Sequence, residues 1–228
     1  MIIMRILFCN IAWMNYYKGN EDGTDEPIGG GDYVVKNKDA HEKYNFTPDS
    51  FVFGDNTDEK AEEYCLGFVE TKATNGNRVN QLHIEKIDGC QLCSKEQSVE
   101  DVLVVYCATH PAHNFTTVVG WYKHATVYRE YQDAEFRNEE GELIYVQSYN
   151  AIAKKRDCVL LPKSARSKIK TWGVPRKRNG VSYGFGRANV WFASGAEENK
   201  YLKEFLQKLH KQIEEYDGEN WLEEGYGC

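Results

Sequence analysis

A chain of 228 residues with 41% hydrophobic and 13% aromatic side chains can bury a real core, which argues against disorder. Its formal net charge of −7 opposes nonspecific polyanion binding if the charge is evenly spread, and no apolar run nears the roughly 18 residues that span a bilayer. The opening MIIMRILFCNIAWM lacks a basic leader with a small-residue cleavage site, and the seven cysteines are odd in number and dispersed, so a cytoplasmic protein with free thiols and no membrane partner is expected.

In chain order, period-2 alternation with β-branched and aromatic residues predicts strands at RILFCNIAW, CLGFVET, VNQLHIEKI, DVLVVYCA, TTVVGWYKHATVY, LIYVQSYN and DCVLLP. Turn residues punctuate them at Gly29-Gly30-Gly31, Asn75-Gly76-Asn77, Glu140-Gly141 and Asn179-Gly180, with no fixed repeat. A long helix is predicted from Ser194, which stands in capping-box spacing with Glu197, and its apolar stripe runs through Leu202, Phe205, Leu206, Leu209 and Ile213. The expected class is α+β: a curved sheet or small β-barrel with flanking helices over residues 1–193, an amphipathic helix over 194–217 packed on it, and a linker or tail over 218–228.

The charge is far from even. Residues 154–187 hold eleven Lys and Arg against one acid, Asp157, a local net of +10 within a chain of −7. Such a block predicts a phosphate-contacting surface built from Lys154, Lys155, Arg156, Arg176, Lys177, Arg178 and Arg187.

DVLVVYCA followed by TTVVGWYKHATVYREYQD resembles the central strand pair of PUA-like domains of the EVE and YTH kind. FCNIAWMNYYKG, IGGGDYV, HEKYNF, VVGWYKHATVYRE and GFGRANVWFA together resemble a domain of HNH-nuclease-linked proteins in modification-dependent restriction, over residues 5 to about 193; the chain carries no HNH motif of its own. The resemblance implies a PUA-like reader of a modified base in DNA, most simply a modified cytosine, that directs a nuclease domain or subunit to it.

A base reader needs an aromatic slot, because flipping costs a few kcal/mol and stacking on an aromatic side chain returns about 1–3 kcal/mol per base. Trp13, Trp121 and Trp191, each beside a small residue or in a glycine-containing block, are the candidate walls. Strict alternation places Val119 with Trp121 on one face and Val118 with Tyr122 on the other; Trp121 is favoured because Gly120 leaves room for a nucleotide. Gly30, within the triple glycine, and His41 and Asn45 of HEKYNF are the candidate polar edge.

Two chemical alternatives compete. Cys90 and Cys93 of CQLC with Cys107 and His110 have ligand types suited to zinc. Asp49, Glu70 and Lys72 match the loose pattern of a PD-(D/E)xK nuclease, in which two carboxylates hold Mg²⁺. A modified-DNA binding module without a cofactor is preferred to the nuclease and to a reader of modified RNA bases, since a match as short as that triad arises by chance and no residue here separates DNA from RNA.

Overall fold

A computed structural model describes residues 4–20, 23–30, 39–51, 62–71, 81–177 and 181–223. Its centre is an eight-stranded mixed sheet: β1 (Ile6–Asn10), β2 (Pro48–Phe51), β3 (Glu62–Gly67), β4 (Ser98–Thr109), β5 (Thr116–Arg137), β6 (Leu143–Lys154), β7 (Cys158–Leu160) and β8 (Val190–Trp191). The order is β2-β3-β6-β5-β4-β1-β8, with β7 paired to β5 alongside β6, so the sheet ends at β2 and β8 and does not close into a barrel. One pairing is parallel, β1 with β4, in the register Ile6 opposite Leu103 and Asn10 opposite Cys107. Among the described residues no helix is long and apolar enough to cross a membrane.

The middle of the sheet is buried on both faces, which is why β4 reads as an unbroken apolar run from Val102 to Ala108 instead of alternating with polar residues. Ile6, Phe8, Leu103, Val105 and Cys107 pack beneath the helices α1 (Lys163–Arg166), α2 (Ile169–Trp172) and α3 (Lys200–Glu214). Leu7, Cys9, Val102, Val104 and Tyr106 face a second core roofed by irregular chain, including Met14, Tyr17, Phe46, Ile84 and Ile87. That roof has few regular elements, so buried polar side chains hold it. Asn45 donates to the Phe68 carbonyl at 2.9 Å and accepts from the Phe68 N–H at 2.8 Å. Arg166, fully buried, donates to the carbonyls of Leu161, Met14 and Asn15 at 2.6–2.8 Å, and Asp25 accepts the N–H groups of Asn15, Tyr16 and Tyr17.

Strict alternation fails in β5. Gly120 stands opposite Tyr106 and Val118 opposite Cys107, so Val119 is an extra residue, a β-bulge. The bulge puts Val118 and Trp121 together under the helices and Val119 and Tyr122 together under the roof, the reverse of the pairing that period 2 predicts. Gly120 is required there for packing: a Cβ on it would come within 2.4 Å of the Val159 carbonyl and 2.6 Å of the Phe46 ring.

The predicted strand VNQLHIEKI is irregular where described, with a 3-10 turn at Ile84–Lys86. Arg129 of β5 pins this excursion, binding Glu85 at 2.8 Å, the Cys93 carbonyl at 3.0 Å and the Glu96 carbonyl at 2.9 Å. Helix α3 starts at Lys200 rather than Ser194, because Asn199 takes the N-cap and accepts from the Leu202 N–H at 3.2 Å, while Ala193 and Gly195 hold positive φ. Its buried residues are Leu202, Leu206, Leu209 and Ile213, four of the five in the predicted stripe, with Phe205 packed beside them. The described part of the tail docks: Asn220 binds both the N–H of Leu160 and the carbonyl of Cys158, and Trp221 stacks on Tyr16 at 5.4 Å.

Candidate functional site

Where β1 ends, the chain turns off the sheet and leaves Asn10 at the C-terminal edge. Asn189, one residue before β8, is held beside it by a backbone bond from the Asn10 N–H to the Asn189 carbonyl at 2.6 Å. The 3-10 turn His41–Tyr44 brings His41 and Glu42 to the same place, and the chain leaving β3 brings Phe68 and Glu70. With Gly30 these residues line a cavity of about 70 Å³. That is the scale of a few water molecules, so it takes an edge or a substituent of a ring and not a whole nucleobase.

One wall is aromatic. The exposed His41 ring lies 5.2 Å from Phe68, and Phe68 stacks on Tyr131 of β5 at 5.1 Å, whose hydroxyl accepts the Thr71 N–H at 2.9 Å. The floor is acidic. The Glu42 side chain is buried and its Oε1 accepts the Ala12 N–H at 2.7 Å. Burial pushes the Glu42 carboxyl above the usual range; the Ala12 N–H and His41 oppose that rise and Glu70 adds to it. Asn189 Nδ2 donates to Glu70 at 3.3 Å, and Arg176 Nη2 donates to Asn10 Oδ1 at 2.8 Å.

Of the residues expected to form a base slot, Gly30 and His41 meet at this cavity. The others do not. Trp121 is 1% exposed, stacked on Trp172 at 5.5 Å and edge-on to Tyr216 at 5.3 Å, because the Val119 bulge turns it to the helix side of a sheet that is buried on both faces here. Trp191 stacks on Phe8 at 4.5 Å in the same core, and Trp13 is buried against Arg166 and His110. Asn45 has both ends of its amide committed to Phe68, which leaves it a structural clip.

The basic block divides in three. Lys154, Lys155 and Arg156 lie against carboxylates, Lys154 on Glu62, Lys155 on Glu63 and Glu223 at 2.8 Å each, and Arg156 on Glu62 at 3.6 Å. These three are therefore charge-paired and not an open anion track. Arg166 is consumed by the core. Arg176 contacts the cavity residue Asn10 as well as Thr116, and Lys177 and Arg187, which follow Arg176 and precede Asn189 closely in sequence, are exposed. Arg178 lies outside the described residues.

The zinc set is not assembled: no group of three or more metal-ligating side chains exists among the described residues. Cys90 belongs to the roofed core and Cys107 to the core under the helices, so the sheet separates them. His110 has both ring nitrogens engaged, with the Ala112 N–H at 3.2 Å and the Ser167 hydroxyl at 3.0 Å. The nuclease pattern is likewise dispersed. Asp49 stands opposite Tyr64 in the β2–β3 register, six residues before Glu70, and does not line the cavity that holds Glu70. Lys72 lies outside the described residues.

Asn10, Phe68 and Asn189 are cavity residues that the sequence pattern does not single out. Their one local sign is position: each stands at or just outside a strand end, where side chains leave the periodic core. No family model, no curated protein and no solved structure matches this chain.

Proposed function

We propose that the protein binds a modified base in nucleic acid, the function implied by its resemblance to PUA-like readers in modification-dependent restriction, and that the base edge enters the cavity between Asn10, His41, Glu42 and Asn189. The observation that carries this reading is the coincidence of three elements at one place. They are a cavity of edge size with hydrogen-bonding walls, an exposed aromatic ring, His41, at its mouth, and the Arg176 guanidinium bonded to its residue Asn10, with the exposed cations Lys177 and Arg187 near Arg176 and Asn189 in sequence. The ring provides stacking, the cations hold the backbone, and the buried polar groups read the edge. The protein serves on this reading as the targeting module of a nuclease domain or subunit.

The test is fluorescence anisotropy with labelled DNA and RNA oligonucleotides that carry one modified or unmodified base. His41→Ala and Asn189→Ala are each expected to weaken binding of the modified oligonucleotide by about 1–3 kcal/mol without changing the melting temperature. Folded variants that bind as the wild type does would remove the cavity from the reading.

A further inference from the structure

The polar groups around the cavity are unequal in kind. Arg176 occupies Asn10 Oδ1 at 2.8 Å, which orients that amide so that its NH₂ is the group left for a ligand. Asn189 gives its NH₂ to Glu70 at 3.3 Å, which leaves Asn189 Oδ1 as an acceptor. Glu42 and Glu70 add carboxylate oxygens, and no Lys or Arg is among the described residues lining the cavity. The lining thus offers one amide donor among several acceptors.

We infer that the cavity selects a base carrying an exocyclic amino group beside an unprotonated ring nitrogen, as in cytosine and adenine, over one carrying a keto oxygen beside a ring N–H, as in thymine and uracil. This rests on the base-binding reading above and assigns its specificity to Glu42 and Asn189. The amino hydrogens meet the Glu42 carboxyl and Asn189 Oδ1, and the ring nitrogen accepts from Asn10 Nδ2. With Glu42 ionised, a keto oxygen in the same place would face carboxylates with no hydrogen between them, and a buried acceptor left without a donor is what makes hydrogen-bonding sites selective. Glu42 fits the role because its backbone anchor is already satisfied: the Ala12 N–H at 2.7 Å fixes Oε1 and with it the plane of the carboxyl.

5-Methylcytosine and thymine share a shape and a methyl group and differ at this edge, so the test compares single-stranded oligonucleotides identical but for that base, which removes any effect of pairing. The wild-type protein is expected to bind the 5-methylcytosine strand more than about 10-fold tighter. Glu42→Gln keeps an oxygen for the Ala12 N–H but adds a donor able to meet a keto oxygen, so the ratio is expected to fall to within about threefold in a variant that stays folded by circular dichroism. Asn189→Ala, at the rim, is expected to weaken 5-methylcytosine binding while leaving thymine binding as it was. Equal wild-type affinity for the two strands, or a ratio untouched in both variants, overturns the edge assignment while base binding stands. No binding of either strand, or of the adenine and uracil counterparts, overturns base binding and the edge assignment together.

Discussion

Trp121→Ala separates a core residue from a ligand wall. Trp121 is 1% exposed, stacked on Trp172 and edge-on to Tyr216, so truncation opens a hole bounded by β5 and α2 and the chain just after α3. Removing a buried Trp costs about 3–5 kcal/mol, the spread depending on how far neighbours collapse into the space. For a chain of this size each kcal/mol moves the melting temperature by about 2–4 °C, which places the variant about 6–20 °C below the wild type. Trp121→Phe keeps a ring against Trp172 and deletes an indole N–H that has no partner, so a much smaller drop is expected. The assay is urea unfolding followed by circular dichroism, with midpoint and slope compared, together with oligonucleotide binding well below the transition. A Trp121→Ala protein that melts with the wild type but no longer distinguishes modified from unmodified base would refute the placement of Trp121 in the core.

Gly120→Ala forces a Cβ to within 2.4 Å of the Val159 carbonyl, a backbone group that cannot swing away, and a loss of about 1–3 kcal/mol in urea unfolding is expected; an unchanged midpoint would mean that β7 does not cross there. The Glu42 carboxyl is raised by burial, so the folded state holds its proton more tightly than the unfolded chain and the stability it contributes is present below the unfolded value near 4.5 and lost as pH rises through the folded value. Glu42→Gln should therefore flatten the fall of melting temperature with rising pH above 4.5, and parallel wild-type and variant curves would contradict the burial of that carboxyl. Reversing Lys177 and Arg187 together should reduce the logarithmic salt slope of duplex binding by about two, whereas reversing Lys154 and Lys155, already paired with Glu62 and Glu63, should leave it near the wild-type value; the opposite ranking would move the phosphate track to the β6–β7 corner.

The strands from β4 to β7 are legible in the sequence because their apolar and β-branched runs are long and the glycine turn at the β5–β6 hairpin is sharp, with Gly141 at φ 83. Side-chain direction within β5 is not, since one inserted residue at Val119 inverts Trp121 and Tyr122, a second irregularity before Ala125 inverts the strand back, and neither leaves a compositional trace. The start of α3 is misread for a different reason: Ser194 has capping-box spacing, yet Asn199 sits nearer the first buried residue, Leu202, and captures its N–H. The cavity is legible only in pieces. HEKYNF points to His41 and Glu42, but their partners come from four other places along the chain, the end of β1, Gly30, the chain leaving β3 and the residue before β8, which only the tertiary fold brings together.

The place of β1 in the sheet also governs when the molecule can be completed. It lies between β4 and β8, with Ile6 opposite Leu103 and Phe8 opposite Trp191, and its pairing with β4 is parallel, so no hairpin can zip it into position. During synthesis β1 therefore waits until Trp191 has emerged for its second neighbour, while β4, β5 and β6 can form a meander from local contacts. Asn10 ends β1 and Asn189 precedes β8, so the cavity is finished in the same event that closes the sheet edge, and a nascent chain halted before Trp191 lacks the pairing that holds Asn189 against Asn10.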